Sequence, residues 1–251
     1  MAARTGFSKP RGGILFLAVP DGAVADMAGK IARLEASREL SVVHVSGALD
    51  LGALAALRER HAIGSFHPLQ SFPAPGDPSA FRGITIAVDA STPALERRLR
   101  SLARAIGGRP KHVGDEERVL YHVAAVYASN FVDVVVAEAV RLLRGIGWSE
   151  SEATAALMPL VEGGVANIRE RGVVKALTGP IRRGDAETVR RHLAALNKVD
   201  SDARGGTALY RMLALVALEI AREAGLDPAA AERTRRALTR HVAATRRRRG
   251  E

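Results

Sequence analysis

Apolar residues fill the first half of the chain in short continuous runs divided by breakers. Ile14-Leu15-Phe16-Leu17-Ala18-Val19 has no polar alternation, the pattern of a strand covered on both faces in a parallel sheet. Pro20-Asp21-Gly22 ends it. Asp21 stands as the N-cap of a helix with Val24, Met27, Ala28, Ile31 and Leu34 at helical spacing. Ser41-Val42-Val43-His44-Val45 is a second strand, closed by Ser46-Gly47, and a short helix follows over Leu51–Arg60. Ala62–Phe66 and Ile84–Val88 are further strands, with a Pro-rich loop, Pro68–Pro78, between them. Thr92–Ala105 reads as a helix and Pro110–Val113 as a short last strand.

The second half changes period. Glu116 to about Leu143 is one long Val/Ala/Leu helix, apolar nearly all round, and is expected to lie buried in a helical core. Ser149 with Glu152 forms a capping-box pattern for a helix carrying Ala153, Leu157, Leu160, Val161 and Ile168. Leu177-Thr178-Gly179-Pro180 breaks the pattern, and Asp185 caps a helix through Leu196. Ala208–Ala224 and Pro228–Ala244 are the last helices. The expected organisation is an α/β domain over residues 1–114, an all-α domain over 115–224 and a basic helix and tail over 225–251. A βαβ half followed by helices suits a dinucleotide-binding domain with a helical partner, though alternation alone also fits other α/β proteins.

Composition narrows the chemistry. Cys is absent, which excludes disulfides, thiolate metal sites and a Cys nucleophile. No unbroken apolar run reaches membrane-span length, and Met1–Gly13 has no apolar core of signal-peptide length, so a cytoplasmic protein without membrane partners is expected. The net charge of +10 is concentrated at the end: Arg233, Arg235, Arg236, Arg240 and Arg246–Arg249 stand against Glu232 and Glu251. No aromatic residue is interleaved with them, so the tail reads as a solvated terminus and no specific nucleic-acid partner is expected. His61 and His67, or His112 and His122, lack zinc-ligand spacing, and there is no Walker loop or nucleophile elbow.

The candidate site lies at strand ends, where open α/β sheets bind ligands. Val19-Pro20-Asp21 ends the first strand, Ser46-Gly47 the second and His67-Pro68-Leu69-Gln70 the third. The first turn can pack on a nicotinamide ribose or be an ordinary strand-to-helix turn. Ser46 can bind a ligand polar group or close its own turn. His67 on this rim is placed to give a proton to a reduced carbonyl or imine. On the long helix, His122, Ser129 and Asp133 fall within roughly 20° of each other at about 100° per residue, with Asn130 about 80° away. This polar stripe is either a substrate-facing wall or a hydrogen-bonded helix interface. In Thr178-Gly179-Pro180-Ile181-Arg182-Arg183-Gly184-Asp185, two arginines can hold an anion, while Asp185 is equally a helix cap.

Several of these motifs occur together in one order: Ala18-Val19-Pro20-Asp21; His44-Val45-Ser46-Gly47-Ala48; Gly64-Ser65-Phe66-His67-Pro68-Leu69-Gln70-Ser71-Phe72; Tyr121-His122-Val123-Ala124-Ala125 with Ala128-Ser129-Asn130; and Ala176-Leu177-Thr178-Gly179-Pro180 with Arg183-Gly184-Asp185. Over about residues 13–220 the chain resembles an uncharacterised bacterial family of short dehydrogenase-like proteins. That family has a Rossmann-like N-terminal domain and a helical C-terminal domain of unknown function. It is similar to ketopantoate reductase, pyrroline-5-carboxylate reductase and deazaflavin-dependent NADP reductases.

The resemblance implies NADP binding, a helical domain like that of 6-phosphogluconate dehydrogenase, a small-molecule substrate and a homodimer formed through the helical domain. It implies cofactor contacts at Val19, Pro20, Asp21, Ser46 and Gly47. His67, His122 and Asn130 become catalytic candidates, and Gln70, Ser129, Thr178 and Arg183 substrate or anion contacts. No metal is implied.

The chain departs from the family at its start. The family pattern opens with a strand, Gly-x-Gly-x-x-Gly, a helix and two more strands, whereas here Val19-Pro20-Asp21 comes within about twenty residues of Met1. Gly12-Gly13 has no strand before it and no helix after it. The expectation is an N-terminally truncated Rossmann-like domain in which Ile14–Val19 becomes an unprotected sheet edge. Two readings follow: an NADP-dependent oxidoreductase lacking the glycine-rich fingerprint, or a non-catalytic helical dimerisation scaffold derived from one.

Overall fold

A computed structural model describes residues 13–34, 40–72, 76–199 and 205–239. Two compact units divide it, one running to Asp133 and the other starting at Val134.

The first unit is built on five strands, β1 (Gly13–Leu17), β2 (Leu40–His44), β3 (Ala62–Pro68), β4 (Thr85–Ala90) and β5 (Arg109–His112), in that spatial order. β1, β2 and β3 are mutually parallel, β4 is antiparallel to β3, and β5 is parallel to β4. β1 forms one edge of the described sheet, as the reading of Ile14–Val19 anticipates. The reversal at β4 was not anticipated. The Pro-rich connection supplies no crossover helix, and a strand returning through a loop can pair antiparallel.

Alternation along the strands sorts residues to two faces. Leu17, Val42 and Ile63 pack with Val24, Ala28 and Ile31 of α1 (Asp21–Ala32) and with Leu51, Leu54 and Leu57 of a 3-10 turn. On the opposite face Val43, Phe66, Ile86 and Val88 pack with Leu95, Leu99 and Ala103 of α2 (Pro93–Ala105). Thr92 caps α2, its Oγ1 accepting from the Leu95 amide at 3.3 Å. Asp21 is not a cap: Pro20 holds that position, and Asp21 lies inside the first turn, where a carboxylate complements the helix dipole.

The long helix is two helices, α3 (Asp115–Ala128) and α4 (Asn130–Arg144), broken at Ser129 with φ −126° and ψ −79°. α3 stays with the sheet, although the expected domain boundary lay before it. The expectation of burial fails for this run. Val119, Leu120, Tyr127, Phe131 and Val134 are exposed, and only 6% of its most apolar stretch is buried. By length and composition Asp115–Arg144 would suffice to cross a membrane, although Asp133, Glu138 and Arg141 interrupt the apolar sequence.

The second unit is helical. Ser149 and Glu152 form the expected capping box at the start of α5 (Glu150–Arg171). The short α6 (Val173–Ala176) and α7 (Gly179–Arg183) lead into α8 (Ala186–Val199), α9 (Gly206–Glu223) and α10 (Pro228–Thr239). Ile181, Val189, Leu193, Ala214, Leu218, Ala231 and Leu238 form its core. Arg240 and Arg246–Arg249 lie outside the described residues.

Candidate active site

α3 crosses the C-terminal ends of the parallel strands and is held there by polar contacts at successive turns. The Asp115 carboxylate accepts from the Leu51 amide at 3.0 Å. Three residues on, the fully buried Arg118 donates through Nη2 to Ser65 Oγ at 2.6 Å and to the Val113 carbonyl at 2.8 Å. A further turn places the Tyr121 hydroxyl 2.8 Å from His67 Nδ1, with His122 beside it. Arg118, Tyr121 and His122 occupy positions i, i+3 and i+4, one face of a helix.

The strands present matching partners. Leu17, His44, Ser65 and Asp89 form a lateral row across β1 to β4, so Arg118 meets the sheet at a polar row above an apolar face. Gly47 lies behind the imidazoles. A Cβ added there would fall 2.7 Å from His67 Nε2 and 2.9 Å from His122 Nδ1, so the two ring edges converge within about 6 Å of each other. Any side chain at 47 would displace one of them. His67, Gln70, Tyr121, His122, Ser129 and Asn130 line a cleft of about 460 Å³. Through His67 and Gln70 it adjoins a larger cleft of about 960 Å³ that holds Phe16, Phe66, Phe72 and Phe81.

Burial sets the charge states. His44 is completely buried, and burial first, then the Arg118 charge, lowers its pKa to about 4. His67 is likewise lowered to about 4 by burial, His122 and Arg118, with Asp21 opposing. Burial pushes the Tyr121 hydroxyl up to about 12 and raises Asp89. Burial also depresses Arg118, which Asp89 and Asp115 offset. Arg118 Nε and Nη1 and His122 Nδ1 are buried without a hydrogen-bond partner among the described residues. Unpaired buried polar atoms are rare in folded chains, and these converge on one end of one sheet.

Five candidates from the sequence, His67, His122, Asn130, Gln70 and Ser129, therefore meet in one cleft. Ser129 interrupts the helix, and the cleft lining ends at Asn130 rather than following the stripe to Asp133. Val19, Pro20 and Asp21 follow β1, and Ser46 and Gly47 follow β2, on the same rim. Ser46 Oγ accepts from the Ala48 and Leu49 amides at 3.1 and 3.0 Å, closing its own turn. Thr178 and Arg183 belong to the second unit and are exposed. Beside them Asp185 caps α8, its Oδ1 accepting from the Thr188 amide at 3.0 Å, and Arg182 donates to the Ala224 carbonyl. Sequence reasoning missed Arg118 and Tyr121 as site residues. The spacing Asp115, Arg118, Tyr121, His122 was the available signal.

A family profile described as a domain of unknown function (DUF2520) matches residues 84–217, just over half the chain. No curated protein matches. Among solved structures, a Thermotoga maritima protein is 26% identical with a TM-score of 0.71, covering 88% of this chain and 82% of its own. A Bacteroides fragilis protein named as a candidate NADP oxidoreductase is 23% identical, with a TM-score of 0.67 and coverage of 82% and 75%. Plasmodium falciparum pyrroline carboxylate reductase, solved with NADP bound, is 12% identical, with a TM-score of 0.53 and coverage of 90% and 77%. The Rossmann-like sheet followed by a helix-rich region is thus shared with these structures.

The neutral buried imidazoles carry a pH signature. With folded pKa values near 4 against about 6.5 when unfolded, His44 and His67 refuse protons that the unfolded chain accepts. Stability should fall as pH drops from about 6.5 toward 4, and His44→Gln should flatten the slope. Urea unfolding across this window measures it; an unchanged midpoint would show that both rings take up protons alike in the folded and unfolded chain.

Proposed function

The chain belongs to the DUF2520 family, and from that membership and the rim geometry we propose that it is an NADP-dependent oxidoreductase acting on a small carbonyl or imine compound. The observation that carries this is the convergence of the His67 and His122 edges in a cleft at the C-terminal ends of parallel strands. Val19, Pro20, Ser46 and Gly47 fit the nicotinamide end of a dinucleotide, with Asp21 at the first turn of α1. Bound NADPH would supply a hydride. An N–H of the His67–His122 pair would hydrogen-bond the substrate oxygen or nitrogen, and that atom takes the proton as the C=O or C=N bond is reduced. Negative charge developing there opposes the depression of the His67 pKa. Gln70, Ser129 and Asn130 would orient the substrate's polar groups.

The family's glycine-rich turn has no counterpart among the described residues. Because β1 forms an edge of the described sheet beside the aromatic cleft, we infer that polypeptide pairing with that edge completes the pyrophosphate site. The chain is further proposed to be a cytoplasmic homodimer. Leu160, Val165 and Ile168 of α5 and Met212, Leu213 and Val216 of α9 are exposed, as is the apolar face of α4. Exposed apolar patches of this kind mark association surfaces.

Calorimetric titration of NADPH, with NADH as control, should give micromolar binding. With a reducible substrate, His67→Asn should lower kcat/KM about 10²–10⁴-fold. No NADPH binding would favour the non-catalytic scaffold derived from such a dehydrogenase. Sedimentation should report a dimer, lost on Leu213→Glu and Val216→Glu; a monodisperse monomer would reject the association.

A further inference from the structure

Tyr121 is the hydrogen-bond partner of His67 among the described residues, its hydroxyl 2.8 Å from Nδ1. The rings meet edge to face, with centroids 5.6 Å apart and planes at 90°. No other described group receives the Tyr121 hydrogen. A phenol is a much stronger acid than the N–H of a neutral imidazole, so O–H to N is the favoured sense of this bond. A ring whose Nδ1 lone pair is occupied carries its proton on Nε2. Nε2 is the atom that converges with His122 at Gly47.

We propose that Tyr121 is a positioning residue for His67, donating to Nδ1 so that the ring presents an N–H at Nε2, on the edge that faces His122. The catalytic value of this arrangement rests on the reading of His67 as proton donor. Both partners are neutral over a wide range of pH. His122 and Arg118 from α3 and His44 from β2 join burial in disfavouring the imidazolium, and Asp21 of α1 opposes them. Burial keeps the Tyr121 hydroxyl protonated.

The sense of the bond fixes the sign of a measurable shift. A hydroxyl donating to Nδ1 stabilises the neutral ring, so its removal raises the His67 pKa. A hydroxyl accepting from Nδ1–H stabilises the imidazolium, so its removal lowers it. Tyr121→Phe keeps the ring and its packing. The test is an NMR titration of the full chain with 15N-labelled histidine, His67 being assigned by its loss in His67→Asn.

The expected wild-type spectrum at neutral pH has a pyridine-like Nδ1 and a pyrrole-like Nε2. In Tyr121→Phe the His67 midpoint should rise by about one pH unit, a tenfold change in proton affinity. A pyrrole-like Nδ1 in the wild type, which requires no variant to fold, overturns the proposal, as does a lowered or unmoved midpoint. Absence of turnover in the wild type together with the expected spectra would count against the oxidoreductase reading and leave the role of Tyr121 standing.

Discussion

A buried guanidinium fixes the geometry of the first unit. Arg118 is enclosed completely and bonds Ser65 of β3 and the carbonyl of Val113 just beyond β5. Burying a cation without a close carboxylate is costly, and here Asp89 and Asp115 compensate only at a distance. In return the contact seats α3 on the sheet in one register. Tyr121 and His122 inherit their places from it, one turn further along. Both bonds leave one nitrogen, Nη2, so the anchor depends on the reach of the long side chain to the Ser65 hydroxyl and the Val113 carbonyl.

The same charge shapes the electrostatics of the rim. Arg118 adds to the desolvation of His44 and His67 and helps hold both rings neutral. A cation that anchors a helix thus also biases the imidazoles beside it toward hydrogen bonding rather than charge pairing. The site is polar without being ionic: its lining of His, Tyr, Gln, Ser and Asn carries no carboxylate, Lys or Arg.

Much of this was legible in the residues. The strands β1 to β4 were readable because buried strands are largely apolar runs, which β5 with Arg109, Pro110, Lys111 and His112 is not, and Ser149 because a hydroxyl before a helical pattern has a defined bonding role. The direction of β4 was not, since an apolar run carries no polarity. The break at Ser129 was hidden because apolar periodicity continues across it. His67 and Gln70 were readable from their place at a strand end, and His122 from the polar stripe on its helix. Arg118 was not, because it follows Glu116 and Glu117 and looks like part of a solvated turn. Apolarity showed that α4 seeks cover, but not which surface provides it.

The spacing along α3 has a consequence for how this chain tolerates change. Between the Arg118 anchor and the break at Ser129 the helix acts as a ruler. A single inserted or deleted residue there would rotate everything beyond it by about 100° and shift it by about 1.5 Å. Placed just after Arg118, it would carry Tyr121 away from His67 while leaving every apolar contact of the sheet intact. Such a change would fold and lose its site, so in diverging sequences length variation is expected in the Pro-rich loop before β4 and not within these ten residues between anchor and break.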